Sequence, residues 1–232
     1  DGNEYIDLNM GFGINFFGHS PDFVVEAVEE QLAKGMELGV LTPLAKEVAE
    51  LICELTKMDR VNFVNTGSEA VSAAVRAART ASGKDRIAVF RKDYHGISDE
   101  FLVRPVDLGG KRISKPVSPG IPDFLVETVI ILEYDDTCLD VIREHADDLA
   151  GVIFEPVPAH DPAFQPREII HKVRELTREL DIAMIFDELI TGFRLHPRGA
   201  QGFYDVDVDI CAYGKIVCGG LPMAAVAGSA KY

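Results

Sequence analysis

The sequence has 232 residues, 47% of them hydrophobic, enough to bury the core of one large domain or of a large domain plus a fragment. Lys and Arg total 23 against 38 Asp and Glu, and the formal charge of −15 argues against a nucleic-acid surface or an anionic membrane surface. The four cysteines form no C-x-x-C pair, no metal cluster is visible, and no stretch reaches the roughly 18 apolar residues of a membrane span, so a metal-free cytoplasmic protein is expected.

The chain opens without Met at Asp1-Gly2-Asn3 and stops at Ala230-Lys231-Tyr232 directly after an apolar run, which reads as a fragment. Apolar residues recur at helical spacing in Asp22 to Lys34 and in Pro43 to Lys57, with Pro43 placed where a first helical turn tolerates it. From Arg60 the pattern becomes a βαβ rhythm. VNFVN, RIAVF, TVIIL, GVIFE, IAMIF and DICAY are predicted strands, with helices over Ser68 to Ser82, Thr137 to Leu149 and Pro166 to Leu180. Runs such as IAMIF lack polar alternation, as strands covered on both faces do, so the spacing predicts a mostly parallel sheet in a three-layer α/β sandwich. Leu108 to Asp123, rich in Gly, Pro, Ser and basic residues, reads as a long surface loop.

In open α/β sheets ligands gather beyond the carboxyl ends of the strands. Four such places carry chemistry here. After VNFVN, the turn Asn65-Thr66-Gly67-Ser68-Glu69 opens a helix whose first N–H groups make an anion cradle; the plainer reading is an ordinary N-cap with Ser68 as the cap. After RIAVF, Tyr94-His95-Gly96 offers an aromatic ring to cover a flat ligand, or simply a packed turn. After IAMIF, Asp187-Glu188 puts carboxylates at the end of a buried strand, where a cation, a metal or a protonated ring nitrogen must offset desolvation. An ATPase reading of that strand fails because neither Gly83-Lys84 nor Gly110-Lys111 completes a phosphate-binding G-x-x-x-x-G-K-[ST] loop. After DICAY comes Lys215, followed by Gly219-Gly220. A lone lysine is usually solvated, but partial burial there would free its amine as a nucleophile toward an aldehyde. A phosphate, a flat ring with a basic nitrogen and an aldehyde carbon satisfy all four places, and pyridoxal 5′-phosphate carries all three.

The strings NTGSEA, YHG, FEPV, IFDELITGFR and YGKIVCGGLP occur in this order. Together with the opening DGNEYIDLNMGFGINFFGHSP, they resemble the class III pyridoxal-phosphate aminotransferases and their glutamate-1-semialdehyde aminomutase branch. The resemblance implies the fold type I architecture, an N-terminal segment over 1–42, a cofactor-binding large domain over 43–232 and a missing small C-terminal domain. It implies a homodimer with sites at the interface, an amino-acid donor and a keto acceptor. By position Lys215 matches the Schiff-base lysine, Asp187 the partner of the ring nitrogen, Leu189 the apolar residue under the ring and Tyr94 the stacking aromatic, with His95 beside it. Thr66, Gly67 and Ser68 match the phosphate turn, and Glu155 the acid of the EPV motif. Two positions depart from the pattern: His160 stands where the aminomutases carry Asn, and Cys218 where a third glycine is usual.

The segments GGKRISKPVSPGIP, FQPREIIHKVRELT and TGFRLHPRGAQGFY are similar to aminotransferase domains embedded in hybrid polyketide synthase–nonribosomal peptide synthetase lines. That similarity implies a carrier-bound β-ketoacyl acceptor and an acyl carrier protein as partner, met by Lys111, Arg112 and Lys115 unless these are merely solvated. A glutamate-1-semialdehyde aminomutase, a free-ketone transaminase and an inactive scaffold of the same fold are the alternatives.

Overall fold

The structure, a computed structural model, describes residues 2–35, 42–109 and 111–232. Its helices are α1 (Met10–Gly13), α2 (Asp22–Lys34), α3 (Pro43–Thr56), α4 (Gly67–Ser82), α5 (Asp123–Val126), α6 (Thr137–Glu144), α7 (Arg167–Glu179) and α8 (Gly199–Tyr204). Its strands are β1 (Arg60–Val64), β2 (Arg86–Phe90), β3 (Val103–Leu108), β4 (Lys111–Pro116), β5 (Val129–Leu132), β6 (Leu149–Phe154), β7 (Ala183–Asp187), β8 (Ile210–Tyr213) and β9 (Ala224–Gly228).

Seven strands form one sheet in the order β1-β9-β8-β7-β6-β2-β5. The run from β8 to β5 is parallel, and β9 is antiparallel to both of its neighbours, β1 and β8. Strands β5 to β8 are buried along their whole length, as the unbroken apolar runs require of strands covered on both faces. On one face α4 lays a stripe of small residues, Ala70, Val71, Ala74, Val75 and Ala78, near Ile153, Ile185 and Ala212. These small side chains let the helix approach the sheet closely. On the other face Ile142 of α6 and Ile170, Val173 and Leu176 of α7 pack with Phe154, Met184 and Phe186. The result is the expected three-layer sandwich.

Three local expectations fail. The residue that caps α4 is Thr66, not Ser68: Thr66 Oγ1 accepts from the Glu69 N–H at 3.2 Å and Glu69 Oε2 accepts from the Thr66 N–H at 2.8 Å, a reciprocal capping box. The helix predicted to run from Thr137 to Leu149 stops at Glu144, because Leu149 is already the first buried residue of β6. The long loop predicted over Leu108 to Asp123 instead holds the end of β3 and all of β4, a ribbon paired from Val103↔Pro116 to Leu108↔Lys111, with a loop only over 117–122 before α5. A two-stranded ribbon consists only of edges, so Pro105 and Pro116 find positions that do not need the N–H they lack.

The amphipathic α2 is where predicted, yet it buries none of its residues. Phe23 is 58% exposed and, in the segment before it, Ile6 is 88% exposed and Phe12 80%.

Candidate active site

β1 runs antiparallel to β9, which runs antiparallel to β8, so the carboxyl ends of β1, β2, β6, β7 and β8 lie along one edge of the sheet. The four sequence-predicted places therefore meet. A cavity of about 180 Å³ is lined by Gly67 and Ser68 after β1, Tyr94, His95 and Gly96 after β2, Glu155 after β6, Asp187 and Leu189 at the end of β7, and Lys215 after β8. Thr66 stands behind this wall as the helix cap. A larger groove of about 570 Å³, beside Arg79, Glu100 and Phe124, holds none of the predicted site residues.

Two glycines shape the cavity. A Cβ on Gly67 would fall 1.9 Å from Leu189 Cδ2, and one on Gly96, at φ +91°, would fall 2.4 Å from Ser68 Oγ. Leu189 and Ser68 occupy that space instead, and Ser68 Oγ accepts from the Ile97 N–H at 3.0 Å, tying the Tyr94 loop to the start of α4. The capping box takes up the Glu69 N–H, and Ala70 bonds back to Thr66 O at 3.0 Å. The N–H groups of Gly67 and Ser68, the first two of the helix, have no partner within it, and both residues line the cavity at the positive end of the helix dipole.

Asp187 Oδ2 lies 2.9 Å from His95 Nδ1 and its Oδ1 accepts from the Leu189 N–H at 3.2 Å, so both oxygens are oriented. Burial works against a charge on His95; the bond to Asp187, with the nearby Asp93 and Glu155 carboxyls, outweighs it and raises the pKa. Burial pushes the Glu155 carboxyl up, opposed by the N–H of Tyr94, which it accepts at 2.9 Å. Lys215 is half-buried, with φ of +50°, and burial lowers its pKa against the pull of Asp187 and Glu155. Among the described residues its Nζ enters no hydrogen bond or ion pair, so a nucleophilic amine is held at the strand end without a partner. His160 sits exposed next to the cavity-lining Ala159.

Glu188 has a different task from Asp187. It is fully buried, accepts from Thr191 Oγ1 at 2.7 Å and from the Ala200 N–H at 2.8 Å, and fills the space a side chain on Gly199 would need. Burial drives its pKa up to about 7. Glu188→Ala would leave those donors buried and unpaired, and we expect a loss of about 3 kcal/mol of stability, read as a lower denaturation midpoint. An unchanged midpoint would show that Glu188 holds nothing in place.

The model of the family described as Aminotransferase class-III matches residues 1–232. The chain belongs to the class III aminotransferases. This class III aminotransferase chain is 42% identical over 232 residues to the glutamate-1-semialdehyde 2,1-aminomutase of Methanothermobacter thermautotrophicus, a match spanning 98% of the chain and 54% of that relative. It is 39% identical over 232 residues to the enzyme of the same name from Aquifex aeolicus, again over 98% of the chain and 54% of the relative. Among solved structures, an omega-transaminase from Sphaerobacter thermophilus superposes with a TM-score of 0.92 at 35% identity, covering 100% of the chain and 55% of that structure. The chain thus spans about half the length of the relatives it matches.

Class III aminotransferases use pyridoxal 5′-phosphate, and solved neighbours are a transaminase with PLP bound and a Pseudomonas aeruginosa glutamate-1-semialdehyde-aminomutase in complex with PMP. The cavity fits that group. Gly67 and Gly96 let Leu189 and Ser68 pack into the cavity wall beside the first turn of α4, Asp187 brings a carboxylate to the cavity, and Lys215 brings an amine with no hydrogen bond or ion pair among the described residues. Asp93 and Tyr134 escaped the sequence reading. Asp93 precedes the YHG string, and its Oδ2 accepts from Tyr134 Oη at 2.7 Å and from the Glu155 N–H at 2.8 Å. An acid directly before the aromatic was the available signal.

Proposed function

We propose that the protein containing this chain is a PLP-dependent aminotransferase that moves an amino group from an amino-acid donor to a keto group, its acceptor a carrier-bound β-ketoacyl chain. The observation that carries the transfer chemistry is the convergence of Lys215, Asp187 and the Gly67-Ser68 turn on one cavity. An inactive scaffold would have no reason to keep the three together. The N–H groups of Gly67 and Ser68 would hold the phosphate, Asp187 would keep a proton on the ring nitrogen, and Tyr94 and Leu189 would flank the ring. Lys215 Nζ would hold the cofactor at its aldehyde carbon. When bound, the cofactor supplies the electron sink for the pair left at the substrate carbon. Lys215 Nζ, its affinity for protons lowered by burial, then removes the proton from the donor α-carbon and returns a proton at the end of the transfer.

The carrier-bound acceptor rests on the similarity of GGKRISKPVSPGIP, FQPREIIHKVRELT and TGFRLHPRGAQGFY to embedded aminotransferase domains, with His160 as a departure from the aminomutase pattern. The second reading, glutamate-1-semialdehyde 2,1-aminomutase, is favoured by the names of the curated relatives. Full-length protein offered an amino acid with a β-ketoacyl carrier thioester, and separately glutamate-1-semialdehyde, separates the two by the mass of the carrier-bound chain and by chromatography of the semialdehyde product, an isomer of equal mass. An aminated carrier supports the first reading; rearrangement of the semialdehyde with an untouched carrier refutes it.

The β3–β4 ribbon is a poor dock for an acidic carrier. Arg112 pairs with Glu133 at 2.7 Å and Asp107 at 3.4 Å, Lys115 pairs with Asp123 at 2.6 Å, and the Lys111 side chain lies outside the described residues. Changing all three to Ala is expected to leave carrier-bound turnover within about twofold, since exposed pairs contribute little. A tenfold or larger fall would place the carrier on the ribbon.

A homodimer completes the proposal. The cavity of about 180 Å³ is smaller than the roughly 300–1,000 Å³ of closed ligand sites, Tyr94 is 59% exposed beside it, and α2 presents an uncovered apolar face. A second copy would supply the missing cover. A cytoplasmic place fits the four free cysteines, and among the described residues no helix is long and apolar enough to cross a membrane.

A further inference from the structure

The loop that carries Tyr94 and His95 is held from below by two carboxyl groups that exchange bonds. Asp93, one residue before Tyr94, accepts the backbone N–H of Glu155 at 2.8 Å; Glu155 accepts the backbone N–H of Tyr94 at 2.9 Å. Each acid thus binds the main chain at the head of the other's loop, fastening the exit of β2 to the exit of β6. Tyr134, which follows β5, donates to the same Asp93 oxygen at 2.7 Å and to Glu155 O at 3.2 Å. Its ring is stacked on Phe90, the last residue of β2, with centroids 4.3 Å apart, so the clasp is anchored in the core. Asp93 Oδ1 is buried with no hydrogen-bond partner among the described residues.

We propose that Asp93 is a positioning residue of the cofactor pocket, which through the Glu155 N–H and the Tyr134 hydroxyl sets where Tyr94 and His95 stand against the ring. The inference rests on the cofactor reading of the cavity. Asp93 does not line the cavity, so its effect passes through the loop: Tyr94 covers a ring face, and His95 orients the Asp187 carboxylate.

The groups facing Asp93 are Tyr134 after β5, Glu155 after β6 and His95 in its own loop, with Asp187 of β7 behind His95. Burial among these acids drives the Asp93 carboxyl up to about 7, so it changes charge near neutral pH. Ionised, it accepts its two bonds with charge assistance; protonated, it holds them as a neutral group does. The clasp therefore tightens as pH rises through 7.

The test uses the full-length protein, with dissociation constants for pyridoxal phosphate read from its visible absorption in wild type, Asp93→Asn and Asp93→Ala. Asn imitates the protonated acid. We expect Asp93→Asn to bind within about twofold of wild type at pH 6 and about fivefold more weakly at pH 8.5. Asp93→Ala, lacking both bonds, should bind about fourfold more weakly at pH 6 and about tenfold more weakly at pH 8.5, because wild type alone tightens over that range. Taking the ratio to wild type cancels the titration of Lys215 and of the cofactor itself. A ratio for Asp93→Asn that does not change with pH, or wild-type affinity in Asp93→Ala, overturns the inference. Melting of the cofactor-free proteins shows whether Asp93→Ala folds; if it does not, the pH dependence of Asp93→Asn decides alone. Failure of the cofactor reading looks different: wild type itself would then show no band that depends on Lys215.

Discussion

Lys215→Ala is expected to slow amino transfer by at least about 10⁴-fold, because in the proposed function one side chain would supply both the covalent hold on the aldehyde carbon and the proton shuttle. The structure gives the physical basis. Lys215 lies two residues beyond Tyr213, the end of β8, it is half-buried with its amine unengaged among the described residues, and burial lowers its proton affinity, as a base requires. The backbone there is held at φ +50°, a conformation few side chains other than glycine adopt, and such strain persists only where the surroundings enforce it. Single-turnover mixing of the full-length variant with donor and cofactor measures the loss. Partial rescue by a small primary amine would show that the missing group is the base. Residual turnover above about one per cent of wild type would assign the proton transfer to another residue.

Asp187→Asn carries the second large effect. Asp187 is buried at the end of β7, and its two oxygens are committed to His95 Nδ1 at 2.9 Å and the Leu189 N–H at 3.2 Å. An amide keeps the shape but removes the charge that, in the proposed function, would keep the ring nitrogen protonated, and we expect turnover to fall about 10³-fold. His95 reports the same change independently. Its pKa is raised because Asp187 and the neighbouring acids overcome burial, so with Asn at 187 burial should bring it down. The sign for stability follows: a raised histidine stabilises the fold fully below its ordinary value of 6.5, and the contribution fades as pH rises through the raised value. Wild type should therefore lose stability across that window and Asp187→Asn should not, with NMR titration of His95 as the check. Identical His95 titrations in the two proteins would contradict the coupling.

Much of this was legible along the chain because buried parallel strands announce themselves. RIAVF coincides with β2 residue for residue, and IAMIF and DICAY each fall within one residue of the observed strand. The ribbon was missed because Pro105 and Pro116 broke its alternation; Gly109-Gly110 between two alternating segments was the hairpin signal that outweighed them. At the site, residues placed just after strands were found because the sheet itself sets their position. Asp93 and Tyr134 were not, since their meaning lies in contacts 41 and 62 residues apart along the chain that only the folded sheet creates. The bond between His95 and Asp187, spanning 92 residues, is of the same kind. Two residues in different motifs could be named separately, but nothing local says that they touch.

In the proposed function Lys215 is the residue that would hold the cofactor. Full-length protein loaded with pyridoxal phosphate, reduced with borohydride and digested, tests it by locating the added mass on a peptide. The adduct is expected on Lys215, with loss of the visible band on reduction and no adduct in Lys215→Ala. An adduct on another lysine, or none in a folded wild type, would contradict it.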